Sequence, residues 1–412
     1  MIILLNPKTN ERELAYIVTI DDITPIEGYD RVELAHVGGW TIVVGKGEFK
    51  AGDPAIYFEI DSKLPEVKPF TDMEFLAKKK YRVKTQRMCK SISQGLLMSV
   101  ANFNGAIIDE KTIRIGTPHK DCSLHRIDNE SRFLTKDLGV TYYVAEDNAR
   151  KAPSVDKYKK MAQRHGKLFA KQPFRWLMKR DWGKKLLFVF FGKKRDKTGW
   201  PAWVKKTDEE RVQNMPWILQ NKDPWIATEK IDGSSTTFTI KRGKWPRKNE
   251  FYICSRNVCF DKPDKTCFYD TNIYIEMAEK YHIEHVLTEM LTLFPAAEWI
   301  TIQGETYGAG VQKRDYHLKG HDFMAFNLIT SDKGRFNTLK MRELLEDYYR
   351  IPCVPIVDSK FILPDTVEEL LEYATDASQV DGDMREGIVF RSEDGSKSFK
   401  AVSNEFLLKY HG

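Results

Sequence analysis

Glu229-Lys230-Ile231-Asp232-Gly233-Ser234 is the stretch on which the reading of this chain turns. It follows a β-type run, Trp225 to Glu229, so Lys230 stands where a strand gives way to a turn. Asp232 places an acid two residues from the amine, and Gly233 lets the backbone come close to a bound group. Lys-x-Asp-Gly alone is common turn chemistry, so its meaning depends on the residues around it.

Downstream follow, in order, Ser255-Arg256-Asn257, then Gln303-Gly304-Glu305-Thr306-Tyr307-Gly308, then Asp322-Phe323-Met324-Ala325-Phe326-Asn327-Leu328. Glu386-Gly387-Ile388-Val389-Phe390-Arg391 and Lys397-Ser398-Phe399-Lys400-Ala401-Val402 complete the series. From Asp208 onward the pattern is α+β. Strands are expected at 225–229, 236–240, 251–255, 301–305, 321–328, 387–391 and 398–402, and helices near 271–294, 338–349 and 366–374.

Residues 13 to 100 read differently, as short β-rich runs separated by turn signals: 14–20, 32–37, 40–44, 55–60, 81–85 and 95–100. Gly38-Gly39 and Gly52-Asp53-Pro54 lie between them. This is the pattern of a small Greek-key barrel, with an OB fold the expected kind. The expected organisation is an OB-like domain over 1–140, a basic aromatic-rich linker or insertion over 141–206, and an α+β domain with antiparallel sheets over 207–412.

The middle segment is unusual in charge. Lys151 to Lys206 holds 18 lysines and arginines against 3 acids, a surplus of 15 in a chain whose net charge is only +6. Phe174, Trp176, Trp182, Trp200 and Trp203 interleave with those charges, as on a surface that grips a phosphate backbone and stacks bases. Its helices are expected to break at Pro173 and Gly183.

Composition narrows the class. A chain of 412 residues with 42% hydrophobic and 30% charged residues has room for two or three domains and the apolar content of a folded protein. No apolar stretch approaches the roughly 18 residues of a membrane span, and the N-terminus lacks a secretory signal, so a cytoplasmic protein with no membrane partner is expected. The six cysteines form no Cys-x-x-Cys pair, which argues against a zinc site or a disulfide framework.

The series of motifs around Lys230, Arg256, Glu305, Phe326, Glu386 and Lys400 resembles, in order and spacing, that of the polynucleotide ligase and mRNA-capping superfamily of covalent nucleotidyltransferases. Within it the chain is most similar to ATP-dependent RNA ligases of the Deinococcus and Naegleria type, which join an N-terminal OB domain to a C-terminal nucleotidyltransferase domain. The likeness extends through Gly52 to Asp61, Ser93 to Leu97, and Asp208-Glu209-Glu210-Arg211-Val212-Gln213-Asn214.

The resemblance implies that Lys230 attacks the α-phosphorus of ATP and carries AMP, with Lys400 against the α-phosphate. It implies Asp232, Glu305 and Glu386 around a divalent cation, Mg²⁺ or Mn²⁺, with Glu305 also reaching the ribose. Arg256 would contact phosphate or the 5′-phosphate end, Phe326 would stack on adenine, and Glu229 and Ile231 would offer backbone groups to the adenine edge. A free lysine has a pKa near 10.4, so the site must favour the neutral amine, and a neighbouring cation such as Lys400 does so. A second lysine often stands two residues before the motif V lysine; here Ser398 occupies that position beside Lys397, which leaves the second contact open.

The expected partner is RNA, or an RNA/DNA duplex, with a nick or break and RNA on the 3′-hydroxyl side; the expected assembly is a monomer. Two alternatives stand beside this reading: a catalytically inactive nucleic-acid-binding scaffold, and a DNA ligase or capping enzyme. The second is disfavoured because those enzymes carry an OB domain after motif V, and only 12 residues follow Lys400.

Overall fold

The computed structural model describes residues 12–103, 105, 107–108, 111–113, 133–143, 171–191, 200–204, 208–243, 248–256, 258–260 and 272–411. The chain forms two compact units that interleave along the sequence. One gathers Met1–Tyr143, Asp208–Asp232 and Val354–Gly412; the other gathers Val144–Thr207 and Gly233–Cys353.

In the first unit, Ala15–Thr19, Pro54–Phe58 and Leu96–Ser99 make one antiparallel sheet, and Asp22–Pro25, Val32–Val37 and Trp40–Gly45 another. Alternation along Ala15–Thr19 feeds two cores at once. Tyr16 and Val18 pack with Trp40 and Tyr57, while Ala15 and Ile17 pack with Phe58, Phe70 and Phe103. The strand expected over 81–85 does not form. Lys80 and Tyr81 adopt left-handed φ values of 52° and 56° after the short helix Glu74–Lys78, and only an isolated bridge joins Arg82 to Lys63. Val83 is buried and does exchange backbone hydrogen bonds with Asp61 and Ser62, donating to the Ser62 carbonyl at 2.9 Å and accepting from the Asp61 N–H at 2.8 Å, but the pairing does not extend into a regular strand. The hairpin forms instead from Gln86–Met88 and Ser91–Ser93.

The same unit contains a four-stranded antiparallel sheet in the order Ile356–Phe361, Trp225–Lys230, Gly387–Ser392, Ser398–Val402. Residues directly opposite in register share a face, so Ala227, Phe390 and Phe399 lie together with Trp225, Ile388 and Ala401 in a core closed by Val367 and Leu370. The opposite face carries Thr228, Val389 and Lys400 in one row and Lys230, Gly387 and Val402 in the next. Val402 and Leu407 complete the barrel's own core.

The second unit is built on a six-stranded antiparallel sheet, ordered Cys259–Phe260, Glu250–Cys254, Ser234–Lys241, Trp299–Gly308, His321–Thr330, Gly334–Arg335. Helices Ile273–Lys280 and Ile283–Leu293 cover it through Met277, Ile283, Leu287 and Met290. The single helix expected near 271–294 is thus two, separated where His282 turns to φ 49°. The helix starting at Thr338 passes at Glu343 into a π-helical stretch ending at Tyr348.

In the basic segment, helices Gln172–Met178 and Asp181–Phe191 form a pair. Pro173 opens the first helix instead of breaking it, as its missing N–H permits in a first turn. Gly183 lies inside the second, where a Cβ would come within 2.3 Å of the Leu177 carbonyl, so the glycine permits close packing of the pair. Residues 144–170, 192–199 and 205–207 of that segment lie outside the described residues. Among the described residues, no helix is long and apolar enough to cross a membrane.

Candidate active site

Lys230 ends its strand on the face away from the core, paired in register with Gly387. A Cβ at 387 would stand 2.2 Å from the Ala401 carbonyl, so only glycine allows the neighbouring strand to approach there. The Lys230 ammonium lies 2.7 Å from Glu386 Oε2, and both side chains are largely buried. The ammonium and the carboxylate thus form a largely buried ion pair, each supplying the other's counter-charge.

Lys400 follows on the adjacent strand and the same face, with Nζ 3.0 Å from Asp208 Oδ1. Burial pushes the Lys400 ammonium down from the ordinary lysine range. Asp208 opposes that shift, and Arg12, Arg211 and Lys230 reinforce it. Asp232 is 6% exposed and Glu386 9%, which places two buried acids beside two lysines in one unit. Carboxylate oxygens such as these are the ligand type that a hard divalent cation takes.

Glu305, Phe326 and Arg256 lie in the second unit. Glu305 is half-buried on the strand Trp299–Gly308, paired in register with Ser235 and Met324. Gly233 is required beside it, since a Cβ there would meet the Thr306 carbonyl at 2.4 Å and Glu305 Cγ at 2.9 Å. Phe326 is placed by an irregularity that no periodicity foretells. Gln303 pairs with Asn327 and Gly304 with Ala325, so Phe326 is the extra residue of a bulge, a device that re-aims a side chain. Arg256 sits in the connection between Glu250–Cys254 and Cys259–Phe260.

Glu229 faces the core side of its sheet. Its carboxylate accepts from the Ser378 hydroxyl and from the Gln379 N–H at 2.8 Å, and its own N–H donates to the Pro355 carbonyl at 2.9 Å. Ile231 is buried. At the second motif V position stands Ser398. The Ser398 hydroxyl donates to Glu209, which also meets the Arg391 guanidinium at 3.5 Å, and Lys397 is exposed in the preceding turn.

Several residues of this site carry no expectation from the motifs. The acids of the run Asp208-Glu209-Glu210 all meet bases: Asp208 meets Lys400 and Arg12, Glu209 meets Arg391, and Glu210 meets Arg12. Arg211 Nη1 is buried with no hydrogen-bond partner among the described residues, although Trp40 lies under its guanidinium at 5.9 Å. A buried guanidinium nitrogen without a partner, beside two lysines, is suited to an anionic ligand. The signal for Arg211 was the Asp208 to Asn214 run itself; a lone arginine ahead of the first strand gave none for Arg12.

A family model described as RNA ligase matches residues 223–411, and one described as an OB-fold domain matches residues 14–100. The solved structure of Naegleria gruberi RNA ligase with pyrophosphate is similar at 27% identity and a TM-score of 0.68, covering 96% of this chain and 98% of that one. A variant of that ligase with ATP and manganese matches at 27% identity and TM-score 0.67, covering 97% and 99%. Another, with AMP and manganese, matches at 28% and 0.68, covering 97% and 99%. No curated protein matches the chain. The barrel, the lysine-bearing sheet and the order of the motifs all agree with an ATP-dependent RNA ligase of the type that joins an N-terminal OB domain to a C-terminal nucleotidyltransferase domain.

Proposed function

We propose that this RNA ligase uses ATP to seal 3′-hydroxyl and 5′-phosphate ends through a lysyl-AMP formed on Lys230, acting at nicks with RNA on the 3′-hydroxyl side. The observation that carries the reading is Lys230 at 2.7 Å from Glu386, with Lys400 presented on the same sheet face. In the first step the Lys230 amine forms a bond to the α-phosphorus while the bond to the β-phosphate oxygen breaks, and pyrophosphate leaves with the electron pair. Lys400 and Arg211 neutralise charge on the phosphoryl oxygens. A 5′-phosphate oxygen then displaces the lysine, and the 3′-hydroxyl displaces AMP.

Asp232, Glu305 and Glu386 would hold a magnesium or manganese ion, which when bound withdraws charge from the phosphate. Arg256 takes the phosphate of the incoming end, Phe326 stacks on adenine, and Glu229 and Ile231 border the adenine edge. The functional parts follow the chain as a barrel over 1–140, a basic insertion over 141–206 and an adenylation domain over 207–412.

The insertion's paired helices add RNA grip. Lys171, Arg175, Lys179, Arg180 and Lys185 are exposed there, Trp176 and Trp182 are each about half exposed, and Arg180 stacks on Trp176 at 4.1 Å. A monomeric, intracellular enzyme fits this reading.

The test is incubation with ATP labelled at the α-phosphate and Mg²⁺, without nucleic acid, followed by denaturation. Label on the wild-type chain and none on Lys230→Ala is expected. Label persisting in the variant, or none from ATP on the wild type, would refute the assignment, and chelation of the metal should abolish labelling.

A further inference from the structure

The barrel and the lysine-bearing sheet share one buried polar network, and its centre is a residue that belongs to no motif. The Arg12 guanidinium touches three carboxylates: Glu59 at 2.9 Å, Glu210 at 3.3 Å and Asp208 at 3.5 Å. Glu59 and Glu210 are almost fully buried, and Arg12 itself is only 16% exposed. Glu59 also accepts from the Tyr16 hydroxyl at 3.0 Å. Asn214 donates to both Glu59 and Glu210, at 3.2 and 2.7 Å, while accepting from the Trp40 indole. A side-chain bridge leads out of this network to the chemistry, Asp208 giving one oxygen to Arg12 and the other to Lys400, while the Glu210 carbonyl accepts from the Lys400 N–H at 2.8 Å.

We propose that Arg12 is a positioning residue for nucleotidyl transfer, setting Lys400 through the carboxylate of Asp208 that the two cations share. This rests on the role at the α-phosphate proposed for Lys400. To serve a phosphate oxygen fully, the Lys400 ammonium must loosen its hold on Asp208, which competes with the nucleotide for its three N–H donors. A carboxylate already neutralised on its second oxygen yields its partner more readily than one dedicated to it, and it is not left as an uncompensated buried charge afterwards. Without Arg12, Asp208, Glu59 and Glu210 would face Lys400 and Arg211 alone, and Asp208 would compete with the nucleotide for Lys400. The barrel therefore takes part in the chemistry through a fixed ion network.

A purely structural part for Arg12 makes a different prediction. Other contacts already fasten this part of the barrel to the segment before the lysine strand: Gly39 N–H donates to the Gln213 carbonyl at 2.8 Å, and Trp40 donates to Asn214. If Arg12 only added to that fastening, its removal would not be repaired by deleting a second charge.

The experiment uses the full-length chain and single-turnover labelling of Lys230 from α-labelled ATP with Mg²⁺. Arg12→Ala should lower the maximal rate about 10- to 100-fold, less than removal of a direct phosphate contact, with a smaller change in half-saturating ATP. Adding Asp208→Asn to Arg12→Ala should restore about tenfold of that rate by removing the competing carboxylate. A wild-type rate for Arg12→Ala, or no recovery in the double variant, would overturn the proposal. Should Arg12→Ala not fold, Arg12→Gln, uncharged but able to hydrogen-bond, takes its place under the same criteria. Lys400→Ala separates the two layers of argument. If it labels normally, the reading of Lys400 itself fails; if it is inactive while Arg12→Ala is normal, only the positioning role fails.

Discussion

The barrel and the paired helices of the basic segment both lie outside the stretch that carries the nucleotidyltransferase motifs, yet they present opposite kinds of surface. Toward residues 208–214 the barrel offers buried groups, Tyr16, Trp40 and Glu59 among them, each of them hydrogen-bonded. Helices Gln172–Met178 and Asp181–Phe191 present exposed cations and half-exposed tryptophans to solvent. A buried polar contact fixes geometry because leaving its groups unpaired is costly, whereas an exposed charge acts over distance and is screened by salt. The barrel should therefore govern the rate of lysine adenylation, and the helical pair the salt-dependent hold on RNA.

Pushing the barrel off residues 208–214 should test this contrast most severely. At Gly39 a Cβ would stand 2.6 Å from Gln213 Cα, a backbone atom that cannot swing aside. Gly39→Ala is expected to cost about 1–3 kcal/mol of stability, as overpacking does, and to slow lysine labelling along with it. Thermal melting and single-turnover labelling on one preparation check both. A variant that melts lower but labels normally would show that the barrel contact is only a fastening.

A smaller and more specific effect lies in the pH profile of labelling. Lys400 must be charged to neutralise a phosphoryl oxygen, and burial holds its pKa below the ordinary lysine range while Asp208 opposes the shift. Labelling should therefore decline on the alkaline side as Lys400 loses its proton, at a lower pH than a solvated lysine would give. Asp208→Asn removes the group that raises the pKa, so the decline should move to still lower pH. A shift upward, or none, would separate Lys400 from that limb.

The helical pair should give the least change. Replacing Arg175, Lys179 and Lys185 by alanine should flatten the slope of log affinity for nicked RNA against log salt by about 0.7 to 0.9 for each phosphate no longer neutralised. The deficit should be confined to the steps that involve RNA. An unchanged slope would mean that these charges face something other than the substrate's phosphates.

How much of this was legible in the sequence varies by element. The barrel runs at 14–20, 32–37, 40–44, 55–60 and 95–100 each contain or overlap a strand, because alternation and turn residues are local signals. The run at 81–85 misled, since its backbone bonds to residues 61–64 follow two left-handed residues, Lys80 and Tyr81, and stop at an isolated bridge without becoming a regular strand. The long helix near 271–294 was read through its break at His282, where a left-handed residue other than glycine left no mark in the pattern. The seven strands expected in the transferase region are all present, with ends shifted by a few residues.

The chemical inventory is written in the chain alone: a lysine before a turn, acids and a second lysine at the ends of later strands, and a barrel ahead of them. Those follow from residue type and spacing along one chain, which is what a sequence records. Which charges meet was settled only by tertiary folding. It paired Lys230 with Glu386, 156 positions away, and Lys400 with Asp208, 192 positions away. It also made Phe326 the odd residue of a bulge and placed Arg12 among three acids. The physical reason is that register and burial are properties of paired strands and packed faces. A partner's identity is therefore fixed only when distant segments have been brought into contact.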